Sequence, residues 1–172
     1  MSRGRDRLTG LLDRDAGYAS AGTRVAESHI GHLPLAVLWI DIDRFRSVNH
    51  SFGHQGGDCL VKAVADRLGT VIGSQGDLAR MSGDEFAVVL PATSLEAATD
   101  MARLISRAIA DPLEIDRVPI HPTASIGIAM LEPDEDAVRL LLRADKAKTI
   151  AKQAGGNRWS VSGERLSVNG YG

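Results

Sequence analysis

Apolar positions along the chain follow two rhythms. From residue 33 to 43 they run almost unbroken, LPLAVLWI and then DID, which suits a central strand covered on both faces. From residue 56 the spacing changes. In GGDCLVKAVADRLGTVIG, Leu60, Val61, Val64, Leu68 and Val71 share one helical stripe, and Gly69 and Gly73 lie near its end. DLARMSGDEFAVVLP reads as two strands joined by a tight turn at residues 82–85. SLEAATDMARLISRAIAD predicts a helix capped by Ser94 and closed before Pro112. PLEIDRVPIHPTASIGIAML predicts a small hairpin and a strand, and DEDAVRLLLRADKAKTIAKQAGG a long helix ended by glycines. NRWSVS adds an edge strand before a tail, and the chain opens on a turn at LTG with a helix running to about residue 28. This order gives an α/β (α+β) sandwich with a central mixed, largely antiparallel sheet covered by helices. The central hairpin excludes a doubly wound parallel sheet. One domain is expected over residues 1–160, with a tail or the start of a linker over 161–172.

Composition narrows the function. At 172 residues the chain can hold one domain with a real core but is short for two. A net charge of −2 supplies no basic field for nucleic acid, and an aromatic content of 4% leaves little surface on which bases could stack. Cys59 is the one cysteine, which excludes a disulfide framework and fits a reducing, cytoplasmic location. Next to Leu60, its thiol is expected to pack. No apolar run approaches the roughly 20 residues of a membrane span, so no membrane contact is expected of this domain.

The carboxylates carry the candidate chemistry. Asp41 and Asp43 point to one side if the strand persists that far. The hairpin tip SGDEF can lie beside that strand, which would crowd Asp41, Asp84 and Glu85 into one volume. Carboxylates that close raise one another's pKa unless a cation sits among them. Hard, few and solvent-open oxygen ligands suit Mg²⁺ or Mn²⁺ carrying phosphate. An ordinary type I′ turn is the plainer reading of the same tip. The following segment, FRSVNHSFGHQGGD, is expected to be a short glycine-bearing loop before a helix, able to hold phosphate on backbone N–H groups. Asn49 and Asp58 flank it. An amide and a carboxylate together match the donors and acceptor of a guanine edge, although each could equally be a cap or a first-turn acid. His54 is a ligand, a nucleotide contact or a loop filler.

Together these residues make the chain resemble the GGDEF family of diguanylate cyclases. The matching stretches are DRLTGLLDR, WIDIDRFRSVNHSFGHQGGD, RMSGDEF (a variant SGDEF signature), ASIGIA and RADKAKTIAKQAGGNR, in order, from residue 6 to residue 158. The resemblance implies a palm-like fold similar to class III nucleotide cyclases. It also implies condensation of two GTP into cyclic di-GMP, with release of two pyrophosphates, across a homodimer in which each domain holds one GTP. Under it, Asp41, Asp84 and the Ile42 carbonyl bind two Mg²⁺ (or Mn²⁺) ions per site. Asp84 accepts the 3′-hydroxyl proton, and Glu85 supports the metals. Asn49 and Asp58 read guanine, and His54 contacts the nucleotide. Phe45 and Arg46 belong to the phosphate loop, with Arg46 counted as catalytic, and Lys152 reaches the terminal phosphates.

The departures point toward a second function. Ser82 replaces the first glycine of the signature, at a cost of roughly 1–2 kcal/mol if that position needs a positive φ. His50 and Asp13 replace a usual Asp and Asn. Gly156 stands where a phosphate-binding Arg is common, with Arg158 nearby as a substitute. The upstream RxxD product-inhibition motif is missing, because Gly73 occupies the Arg position, and no feedback through that site is expected. The alternative is therefore a weak or inactive GTP-binding regulatory domain controlling an attached domain such as an EAL phosphodiesterase. A pure interaction module ranks behind both. Sensor or EAL domains are expected as partners in a longer protein.

Overall fold

The computed structural model describes residues 4–164. Its elements are α1 (Arg14–Gly31), β1 (Leu35–Ile42), α2 (Phe45–Ile72), β2 (Asp77–Ser82), β3 (Glu85–Pro91), α3 (Leu95–Ala110), β4 (Leu113–Ile115), β5 (Val118–Ile120), β6 (Ala124–Met130), α4 (Ala137–Gln153) and β7 (Arg158–Val161). Five strands form one sheet in the order β2-β3-β1-β6-β7, and β4-β5 is a separate hairpin. Every pairing in the main sheet is antiparallel except β6 with β7. The architecture is the expected mixed, largely antiparallel sandwich. The expected tail lies largely outside the described residues.

β1 is buried along its whole length, which explains its unbroken apolar sequence. Alternate residues feed two cores. Ala36, Leu38, Ile40 and Ile42 join the core built with α2 and α3, while Leu35, Val37 and Trp39 join the one built with α1 and α4. Asp41 continues the second face, so the α4 side of the sheet changes from apolar to acidic at its last residue. Register then aligns three polar residues across the sheet: Asp41 pairs with Glu85 on β3 and with Ser125 on β6.

Three helices, α1, α3 and α4, are fixed at their starts by side-chain caps. Asp13, Ser94 and Asp136 accept from the backbone N–H groups of Ala16, Ala97 and Arg139. Asp13 thus does the work of the Asn usual at its position, since both residue types cap equally well. At the start of α4, buried Glu135 accepts from Arg143 Nε at 2.7 Å and Nη2 at 2.6 Å, and Nη2 also donates to the Met130 carbonyl. This ties α4 to the end of β6. Where the helix crosses the sheet, Gly127 faces it with no room for a side chain: a Cβ there would lie 1.9 Å from the Ala144 carbonyl oxygen and 2.2 Å from the Lys148 nitrogen.

Two local expectations are corrected. The segment after β1 is not a loop: α2 begins at Phe45 and breaks only at Gly53, where φ is 68°. Phe45, Val48 and Phe52 pack onto the core from this first half, and their helical spacing stabilises it. Cys59 does not pack. It is exposed, because the stripe from Leu60 turns it outward.

Candidate active site

The end of β1 and the β2–β3 turn meet. The Ile42 N–H donates to the Asp84 carbonyl at 3.1 Å, which sets the two acidic segments side by side. Asp41 is buried, and Asp84 and Glu85 are partly buried. Two lysines of α4, one helical turn apart, reach down onto them. Lys152 Nζ lies 2.6 Å from Asp41 Oδ1. Lys148 Nζ lies 2.6 Å from Glu85 Oε1, 3.0 Å from Asp145 Oδ1 and 3.5 Å from Asp41 Oδ2.

These contacts set the proton affinities. Burial pushes the Asp41 carboxyl above the ordinary range, against the pull of Lys152, and nearby Asp84 adds to the rise. Burial likewise raises Asp84, helped by Glu85 and opposed by the lysines. Glu85 goes the other way. Its burial is outweighed by Lys148 and by the Ser82 hydroxyl, which donates to Glu85 Oε2 at 2.8 Å. The Trp39 indole N–H is buried without a hydrogen-bond partner of its own, yet lies near enough to Glu85 to favour the carboxylate.

The turn departs from its plainer reading. Neither Gly83 nor Asp84 has a positive φ, so it is not type I′. Ser82 also avoids positive φ, and the strain its presence could have cost does not arise. Arg80 supports the tip: its Nε and Nη2 donate to the Gly83 carbonyl at 3.2 and 2.8 Å, while Nη1 pairs with Asp6 at 3.1 Å.

Asp43 does not share the site. The strand ends at Ile42, and the Asp43 carboxylate accepts from Thr123 Oγ1, Ser125 Oγ and the Asn157 N–H at 2.7, 2.7 and 2.8 Å. It clips the α4–β7 loop to the start of β6. Gly156 in that loop has φ 72°, and a Cβ there would stand 2.9 Å from the Asp43 carboxylate. The loop geometry thus requires the glycine that stands in place of an arginine. Arg158 folds back onto the same loop, its Nε donating to the Gly156 carbonyl at 3.0 Å.

The anticipated nucleotide residues fall on α2. Phe45 is partly buried at its first turn. Arg46 is exposed and bonds to none of the carboxylates among the described residues. Asn49 lies across the kink, its Oδ1 so close to Gly57 that a Cβ there would stand 1.9 Å away. This brings Asn49 against the turn that carries Asp58, which is exposed, as is His54. A cavity of about 650 Å³ opens beside this half-helix, lined by Arg44, Ser47, Val48, Asn157 and Lys152 among others. Of the anticipated substrate residues, only Lys152 lines it. The oxygens that would meet a cation here are those of Asp41, whose carboxylate Lys152 already engages, and of Asp84, with the anticipated Ile42 carbonyl beside them. Among the described residues no cluster of three or more His, Cys, Asp or Glu is placed to hold a metal ion.

The family description "Diguanylate cyclase, GGDEF domain" matches residues 4–158. The chain belongs to the GGDEF family. Among solved structures, this GGDEF domain is similar to the GGDEF domain of DgcB from Caulobacter crescentus in complex with c-di-GMP, with a TM-score of 0.92 and 27% identity, covering 95% of this chain and 96% of that one. Such domains have the palm-like cyclase fold. In sequence it is 40% identical over 160 residues to the diguanylate cyclase DgcP of Pseudomonas aeruginosa, covering 91% of this chain and 24% of that protein. It is 34% identical over 135 residues to the bifunctional diguanylate cyclase/cyclic di-GMP phosphodiesterase MucR of the same organism, covering 78% and 20%. The GGDEF domain thus spans about a quarter or less of the length of these curated relatives. No helix among the described residues is long and apolar enough to cross a membrane.

Sequence reasoning missed Lys148. Its signal was available in KTIAK, two lysines four apart and therefore on one helix face, below a glycine that admits the helix. Arg80 and Asp6 were inside quoted motifs but carried no assigned role.

Proposed function

We propose that this GGDEF domain condenses two GTP into cyclic di-GMP, releasing two pyrophosphates, with two copies of the domain facing each other. One observation supports this most: Asp41, Asp84 and Glu85 converge where β1 ends against the hairpin tip, the two segments joined at 3.1 Å. The donor set suits magnesium or manganese. Two carboxylates and a carbonyl are too few to complete an octahedron, which leaves positions for water and phosphate oxygens. A divalent ion held there supplies charge neutralisation for the triphosphate and lowers the pKa of the attacking hydroxyl. Asp84, at the hairpin tip beside the end of β1, accepts the 3′-hydroxyl proton. Lys152 exchanges Asp41 for the terminal phosphates; its side chain is 46% exposed and free to swing. Phe45 and Arg46, on the first turn of α2, flank the phosphates. Asn49 and Asp58 read the guanine edge, with His54 beside them. A single domain holds one GTP, so the homodimer is part of the reaction.

The regulatory reading keeps one specific observation in its favour. Asp41 and Glu85 are already neutralised by lysines, and Arg46 contacts neither. On that reading the domain binds GTP without turnover and tunes an attached domain, such as an EAL phosphodiesterase. Incubation with GTP and Mg²⁺ or Mn²⁺ at high protein concentration separates the two. Cyclic di-GMP formed by the wild type and lost in Asp84→Ala, with the fold intact, supports catalysis. GTP binding without product supports regulation.

A further inference from the structure

Lys148 has no part in the chemistry above, yet it is held more tightly than Lys152. Its ammonium faces three carboxylates at 2.6, 3.0 and 3.5 Å, one for each of its three donors. Its side chain is only 9% exposed, against 46% for Lys152. Burial alone would weaken the ammonium, but Glu85 and Asp145 more than offset this and hold its pKa above that of an ordinary lysine. It cannot swing out as Lys152 can. α4 lies on β6 at Gly127 without an intervening side chain, and the backbone nitrogen of Lys148 is one of the atoms in that contact, which fixes where its side chain starts.

We propose that Lys148 is a resident counter-cation of the acidic site, which holds Glu85 and Asp41 in the metal-free domain and keeps its intrinsic affinity for divalent ions low. This rests on the reading of Asp41 and Asp84 as the metal-holding groups. The ammonium balances charge that a divalent ion would otherwise balance, and it repels a second cation placed among the same oxygens. The domain therefore keeps its acidic residues folded without metal. Tight metal binding waits for a nucleotide, whose phosphates add the negative charge that Lys148 has cancelled.

The test measures Mn²⁺ binding without nucleotide, by electron paramagnetic resonance and calorimetry, on the whole domain. Lys148→Met keeps most of the stem packing, and Lys148→Gln keeps a hydrogen-bond donor for Glu85. Both remove the charge. Each is expected to bind Mn²⁺ at least about tenfold more tightly than the wild type, since a unit charge is withdrawn within a few ångströms of the ion. Lys148→Arg, which keeps the charge, is expected to stay at the wild-type value. In thermal unfolding, the two neutral variants are expected to melt lower than wild type without metal and to recover with Mn²⁺. Asp84→Asn added to Lys148→Gln is expected to abolish the binding. Neutral variants that bind Mn²⁺ no more tightly than wild type, while Asp84 still controls binding, overturn the role of Lys148 and leave the metal-holding reading standing. Binding that ignores Asp84 in every variant overturns both.

Discussion

Gly127→Ala perturbs the site from a distance. The added methyl would sit 1.9 Å from the Ala144 carbonyl oxygen and 2.2 Å from the Lys148 nitrogen, where ordinary contact begins at 3.4 Å. Both obstacles are backbone, so no rotamer change relieves them. Separation requires α4 and β6 to part by about 1.5 Å. Overpacking of this kind costs about 1–3 kcal/mol. The Glu135–Arg143 pair and the Arg143 bond to Met130 resist the shift at the N-terminal end of α4, so the movement concentrates toward Lys148 and Lys152. Their 2.6 Å contacts with Glu85 and Asp41 are then the first to lengthen. Denaturant unfolding is expected to show the loss of stability with an unchanged slope. A double-mutant cycle with Lys148→Met is expected to be non-additive, because part of the damage runs through that lysine. A Gly127→Ala protein as stable as the wild type, or a strictly additive cycle, would refute the idea that this close approach seats the lysines.

Other outcomes follow from single contacts. Asp58→Ala is expected to weaken the preference for GTP over ATP in binding or turnover; an unchanged ratio removes Asp58 from base reading. Glu135→Gln is expected to cost about 1–3 kcal/mol at neutral pH, because it weakens the hold on Arg143. Glu135 has a depressed folded-state pKa, despite its burial, through Arg143 and the Glu132 N–H. Its contribution is thus present above the ordinary value of 4.5 and lost as pH falls through the folded value. The gap between variant and wild type should close in acid, and a gap independent of pH contradicts the pairing. Asp77 is already bound by Arg24 Nε and by the Ser20 hydroxyl, each at 2.7 Å. Titration with cyclic di-GMP is accordingly expected to show no binding on that face, and calorimetric binding lost in Asp77→Ala would contradict this.

The architecture was legible because β1 is buried on both sides and its sequence can only be apolar. The same run, by stopping at Asp41, marked where the sheet reaches the site. The hairpin tip was legible from the adjacent acids, and its place beside β1 from the order of the elements. Side-chain partners were less so. Lys148 sits in a polar helical stretch, and such a lysine reads as solvent-facing. It is buried only because Gly127, twenty-one residues earlier, lets the helix down onto the sheet. Asp43 looked like a twin of Asp41, but alternation holds only while a strand lasts. The first half of α2 was hidden by Gly53, since a glycine-bearing segment reads as loop when its apolar residues span only two turns.

The contacts of Asp6 have a mechanical consequence. Its carboxylate grips Arg80, whose other nitrogens hold the Gly83 carbonyl, while the Leu12 carbonyl accepts from the Arg80 N–H at 2.8 Å. The stretch ahead of α1 is therefore a tether fastened to the hairpin that carries Asp84. A pull on Asp6 would reach that hairpin at two points, the Arg80 guanidinium and the Arg80 N–H held by Leu12.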